Sequence, residues 1–110
     1  MAFDEGLAQR VRENLLEYPN VEEKKMFGGL CFMVSRHMCC GILEDKLMAR
    51  VGPDQYENLL TKEHAKAMDF TGKPMKGMIY VESEGLKSDK DLTEWLNVCL
   101  NFISTLPPKK

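Results

Sequence analysis

The sequence predicts an α+β fold. The expected architecture is a two-layer α/β sandwich of order α-β-β-β-α-β-β-α, with a mainly antiparallel five-stranded sheet and the helices packed on one face. Three observations predict it. Stripes of apolar residues at helical spacing stand near both ends of the chain, and short apolar runs broken by turn residues fill the middle. No linker, internal repeat or low-complexity stretch interrupts them. One sheet with helices laid against it is the simplest way to bury both stripes. A length of 110 residues makes this one domain, 1–110. A chain of that size can bury about two-thirds of its surface without metals or disulfides.

The first helix is predicted over residues 5–18. Asp4 suits the cap, because its carboxylate can accept a bond from an unpaired first-turn amide. Leu7, Val11 and Leu15 form the apolar stripe, Arg10, Arg12, Glu13 and Glu17 the wet faces, and Pro19 the stop. Residues 25–34 read as one long strand in which Gly28 and Gly29 mark a bulge or a close backbone approach. Ser35, Arg36 and His37 make a turn without the favoured glycine. Residues 38–43 form a second strand, Glu44 and Asp45 a tight turn, and 46–51 a third strand.

Pro53 suits the first position of a short second helix, and Asp54 suits the positive end of its dipole. Tyr56, Leu59 and Leu60 supply its apolar face, and it should end near Thr61 or Lys62. Residues 68–70 form a weak fourth strand broken by Gly72, Lys73 and Pro74, and residues 77–81 a stronger fifth. In the last helix Ser88 and Asp91 have capping-box spacing. Leu92, Trp95, Leu96, Cys99, Ile103 and Leu106 form its stripe, Pro107 and Pro108 end it, and Lys109 and Lys110 suit the negative end of its dipole.

Fifteen basic and seventeen acidic residues leave a net charge of −2, which does not suggest a protein that coats nucleic acid. No apolar run approaches the roughly 20 residues of a membrane span. The N-terminus lacks the basic start and apolar stretch of a signal peptide, so the expected location is cytoplasmic, with reduced thiols.

Four cysteines stand at Cys31, Cys39, Cys40 and Cys99. Neighbouring Cα atoms are about 3.8 Å apart, too close for an unstrained Cys39–Cys40 disulfide. In a regular strand the two thiols would point to opposite faces. With a two-residue loop at Ser35 and Arg36, Val34 pairs with His37 and Cys31 faces Cys40; a three-residue loop removes that pairing. A zinc site usually shows a second close pair of ligands, and Cys99 reads instead as part of the helix stripe. Buried structural thiols are the expected reading. The alternative is a metal-binding or redox set of Cys31, Cys39 and Cys40.

His37 and His64 read as solvated, because nothing in the spacing assembles a nucleophile, base and orienting acid. Gly28-Gly29 lacks the dinucleotide and phosphate-loop fingerprints. The lysines between residues 62 and 76 flank one aromatic, Phe70, which is no nucleic-acid platform. The eight methionines fall largely in the sheet region and read as adaptable core or as a contact surface.

The run Met26-Phe27-Gly28-Gly29, then Phe32-Met33-Val34, Met38-Cys39-Cys40-Gly41, Arg50-Val51-Gly52-Pro53, Met68 through Met75, Gly77, the Trp95 helix and Leu106-Pro107-Pro108 resembles the TfoX N-terminal domain family across nearly the whole chain. That resemblance implies the same α-β-β-β-α-β-β-α order. Longer relatives, the TfoX/Sxy regulators of natural competence, add a C-terminal helical domain, so this chain is expected to be a stand-alone short member with no direct nucleic-acid role. The resemblance brings no catalytic set, and no glycine-rich adenosylmethionine loop is present. The expectation is therefore a non-enzymatic binding or regulatory module without cofactor. Met26, Phe27, Gly28, Gly29, Met38, Cys39 and Cys40 are the candidate binding residues, and the partner is a protein. A homodimer through an uncovered sheet face is one such partnership.

Overall fold

The computed structural model describes residues 3–18, 20–26, 28–69 and 74–106, with the backbone alone at 26, 68, 69 and 74–76. The expectations placed on Pro19, Phe27, Phe70, Gly72, Lys73, Pro107, Pro108, Lys109 and Lys110 lie outside the described residues.

The element order is α1 (Glu5–Asn14), β1 (Val21–Met26), β2 (Gly29–Val34), β3 (His37–Leu43), β4 (Lys46–Arg50), α2 (Pro53–Leu60), β5 (Ala65–Asp69), β6 (Pro74–Val81), a 3-10 turn (Ser83–Leu86) and α3 (Asp89–Ile103). The sheet has six strands rather than five, in the order β1-β2-β3-β4-β6-β5, and every pairing is antiparallel. The sixth strand comes from the glycine pair. The sequence suggests a bulge within one long strand, but Gly28 takes a φ of 77° and the chain reverses there, pairing Met26 with Gly29 and Val21 with Val34. A left-handed residue costs glycine little, and this one turns a single strand into a hairpin.

Both long helices are capped as the sequence indicates. The Asp4 carboxylate accepts from the Leu7 amide at 3.0 Å, and the Ser88 hydroxyl accepts from the Asp91 amide at 3.0 Å. α1 ends at Asn14, four residues short of the predicted stop, and the chain continues as turns. Ala65–Asp69 is an edge strand, so the lysine-bearing segment is partly ladder rather than open loop. At the opposite edge, β1 exposes Glu22, Glu23, Lys24 and Lys25. Such charges discourage another strand from adding there.

Strand alternation sorts the apolar residues into two clusters. The larger joins residues of all three helices to Leu30, Phe32, Ile42, Leu47, Ala49, Ile79 and Val81. The smaller holds Cys31, Met48 and Met78, with Met38, Leu43 and Tyr80 packed against it and no helical residue among those described. Cys31 and Met48 are nevertheless fully covered. The large exposed apolar side chains among the described residues are Leu16 and Tyr18, 75% and 41% exposed, just beyond α1.

Candidate functional site

The β2–β3 hairpin sets the geometry that matters. Ser35 and Arg36 both take positive φ, 51° and 71°, as a two-residue hairpin turn with two left-handed centres requires. Val34 then pairs with His37, and Met33 with Met38, as the two-residue loop predicts. The register shifts at the next step. Phe32 faces Cys40 and Cys31 faces Gly41, leaving Cys39 as the extra residue of a β-bulge.

The bulge overturns two expectations. Cys31 does not face Cys40, and it belongs to the smaller cluster, behind the sheet from the other thiols. Cys39 and Cys40 do not point to opposite faces, because the inserted residue breaks the alternation and both enter the larger cluster. The proposed set of Cys31, Cys39 and Cys40 therefore does not converge. Among the described residues no group of three or more His, Cys, Asp or Glu side chains could hold a metal ion.

A different grouping takes its place. α3 packs on β3 and β4, and Cys99 joins Cys39 and Cys40 in the larger cluster. Hydrogen bonding with Cys40 first and Cys99 next, with the charge of Arg50, lowers the Cys39 thiol below its ordinary range against the opposing effect of burial. Cys40 and Cys99 are pushed well above the ordinary thiol range, first by hydrogen bonding with Cys39 and then by burial. Burial alone pushes Cys31 up to about 11. Arg50 is itself anchored, its Nη1 donating to the Met38 carbonyl at 3.3 Å and its guanidinium lying 5.4 Å from the centre of the Phe102 ring.

A mainly apolar cleft of about 190 Å³ is walled by Tyr18, Val34, His37, Leu100 and Ile103. Exposed Leu16 precedes Tyr18, one of its walls, by two residues in the chain. His37, expected in solvent, is buried. A second cavity of about 370 Å³ lies over Leu59, Trp95 and Val98 between α2 and α3, with Lys62 Nζ 5.9 Å from the Trp95 ring centre and Glu84 and Glu94 at its edge.

The remaining candidate residues scatter. Met26 ends β1, Gly28 sits exposed in the turn and Gly29 is buried at the start of β2, while Met38 is half-buried against the smaller cluster. Phe27 lies outside the described residues. Sequence reasoning missed Arg50 and Leu16. It also missed that Cys39 shares the larger cluster with Cys40 and Cys99, since no local signal marks a bulge in Met-Cys-Cys-Gly.

No described helix is long and apolar enough to cross a membrane. A family model described as the TfoX N-terminal domain matches residues 13–103. No curated protein and no solved structure matches the chain.

Proposed function

The chain belongs to the TfoX N-terminal domain family, and from that premise we propose that it is a non-enzymatic regulatory module that acts through protein contacts, the first of them with a second copy of itself. The observation that carries this reading is the pairing of a knob with a hole. Leu16 is 75% exposed, and Tyr18, two residues on and 41% exposed, walls an apolar cleft with Val34, Leu100 and Ile103. A patch that carries both a projecting apolar side chain and an apolar recess is self-complementary. Leu16 of each copy can fill the cleft of the other about a two-fold axis, as an isologous dimer requires. The charged β1 edge supports the same choice, because lateral strand addition there would have to pair and desolvate Glu22, Glu23, Lys24 and Lys25.

Light scattering across a dilution series tests the reading. The expected result is a dimer that becomes a monomer on Leu16→Glu, with a thermal midpoint equal to that of wild type at dilutions where both are monomers, because Leu16 is exposed. A strict monomer at high concentration overturns the second copy as occupant. A dimer indifferent to Leu16→Glu but broken by Met38→Glu moves the interface to the sheet face over Met38, Leu43 and Tyr80.

A further inference from the structure

The cavity between α2 and α3 shares no wall with the apolar cleft, and its lining is of another kind. Leu59, Trp95 and Val98 supply its apolar part, and Asp91 and Glu94 stand on the same face of α3 as Trp95. Glu63, from the turn after α2, and Glu84, from the 3-10 turn, bring the carboxylates to four. Of the two basic residues beside them, His64 is paired through Nε2 with Glu63 at 3.6 Å.

Two further features point to a ligand. Lys62 Nζ lies 5.9 Å from the centre of the Trp95 ring and forms no ion pair with a described carboxylate, so a cation of this chain rests on the ring without a firmer hold. Trp95 is only 8% exposed, yet its indole N–H has no hydrogen-bond partner among the described residues. No described side-chain nitrogen is both sealed from solvent and unbonded. The N–H therefore reaches the surface, and the surface that Trp95 lines is this cavity.

The walls are fixed in advance. His64 takes a φ of 69°, and its carbonyl accepts from the Glu82 amide at 2.8 Å. A Cβ at Gly85 would stand 2.9 Å from the His64 Cβ, so glycine there lets the turn after α2 close against the 3-10 turn. Walls already in place spare a ligand the cost of ordering them.

We propose that this cavity receives an arginine side chain of a partner polypeptide. The guanidinium takes the place of Lys62 on the Trp95 ring, where stacking and cation–π attraction both favour a planar cation. Its N–H fork donates to the carboxylates around it, which a neutral or anionic ligand would leave without a counter-charge. A main-chain carbonyl of the partner accepts the indole N–H, a donor that a guanidinium by itself leaves unmet. The site goes beyond the self-association reading, because none of its residues belongs to the Leu16 patch.

Trp95 is the single tryptophan, so its indole N–H gives one cross-peak in the ¹⁵N-labelled full-length protein. The titrant is acetyl-Ala-Arg-Ala-amide. The expected result is saturable movement of that peak, with the uncharged citrulline peptide of the same shape about tenfold weaker. Methylguanidinium, which lacks the carbonyl, and the lysine peptide, which lacks the plane, should each be weaker than the arginine peptide. Lys62→Met should tighten binding about threefold by removing the competing cation, and Glu94→Gln should weaken it about as much. Both side chains are exposed, so both variants should fold. Leu16→Glu should leave the titration unchanged, which separates this site from the dimer. A peak that does not saturate, citrulline or lysine peptides or methylguanidinium binding as tightly as the arginine peptide, or indifference to Lys62→Met would each overturn the proposal.

Discussion

The ring of Phe102 fills the space that a side chain at Gly52 would need, and the same ring carries the Arg50 guanidinium 5.4 Å from its centre. One aromatic side chain near the end of α3 thereby fastens the β4–α2 junction and holds Arg50 close to the thiol corner. Gly52 also takes a φ of 87° just before Pro53 opens α2.

Gly52→Ala should therefore cost about 2 kcal/mol or more, by urea denaturation, since strain and collision act together. The Gly52→Ala, Phe102→Leu pair should recover the collision but not the backbone strain. A double-mutant cycle with no coupling between them would refute the contact.

Gly29→Ala should destabilise more than Gly41→Ala. A Cβ at Gly29 meets the main-chain carbonyl of Ile42 on the paired strand, which cannot yield without breaking the ladder. At Gly41 the nearest atom is the flexible Met48 Cε at 2.7 Å, with the Leu30 carbonyl at 3.0 Å. Costs of about 3 against about 1–2 kcal/mol are expected for overpacking of these two kinds. Equal thermal midpoints for the two variants would contradict the difference.

Arg12 grips Glu23 through two bonds of 2.6 and 2.7 Å, which ties α1 to β1. This hydrogen-bonded pairing lowers the Glu23 carboxyl below its ordinary 4.5. A depressed acid contributes stability that is present above its unfolded value and lost as pH falls through the folded one. Glu23→Gln should cost at most about 1 kcal/mol at pH 7 and low salt, because both partners are partly exposed. The difference from wild type should vanish well below pH 4.5. A difference that persists in acid would show the role to be packing rather than charge.

Cys31 moves stability the other way. Its raised value means that stability is whole below the ordinary 9 and declines as pH rises toward about 11, where the folded thiol ionises too. In reducing buffer the unfolding free energy should fall across that window, with at most about 1.4 kcal/mol per pH unit from this group. Cys31→Ala should be less stable at pH 8 but lose less between pH 9 and 11. An unchanged slope would remove Cys31 from the alkaline limb.

The legible parts of the fold were those written in local chemistry. Asp4 and Ser88 cap their helices as their side chains allow, and the Leu92–Trp95–Leu96–Cys99 stripe of α3 is buried as its spacing requires. A turn at Ser35 and Arg36 was legible from the strand pattern, but that pattern fits a two-residue or a three-residue loop equally, and neither residue is glycine. The reversal at Gly28 was harder. A glycine pair between apolar runs serves a bulge as well as a hairpin, and the difference lies in whether the flanking segments can pair over six residues.

By itself the sequence determined the family, the antiparallel α+β character and the burial of Cys99, because periodicity and capping act within a few residues of one another. Only the tertiary structure decided which thiols share a face. A single unpaired residue in β3 turns Cys39 to the side of Cys40, and α3 brings Cys99 into the same cluster from sixty residues away. Register is a property of two strands at once, and the cost of inserting a residue is settled by what packs above it.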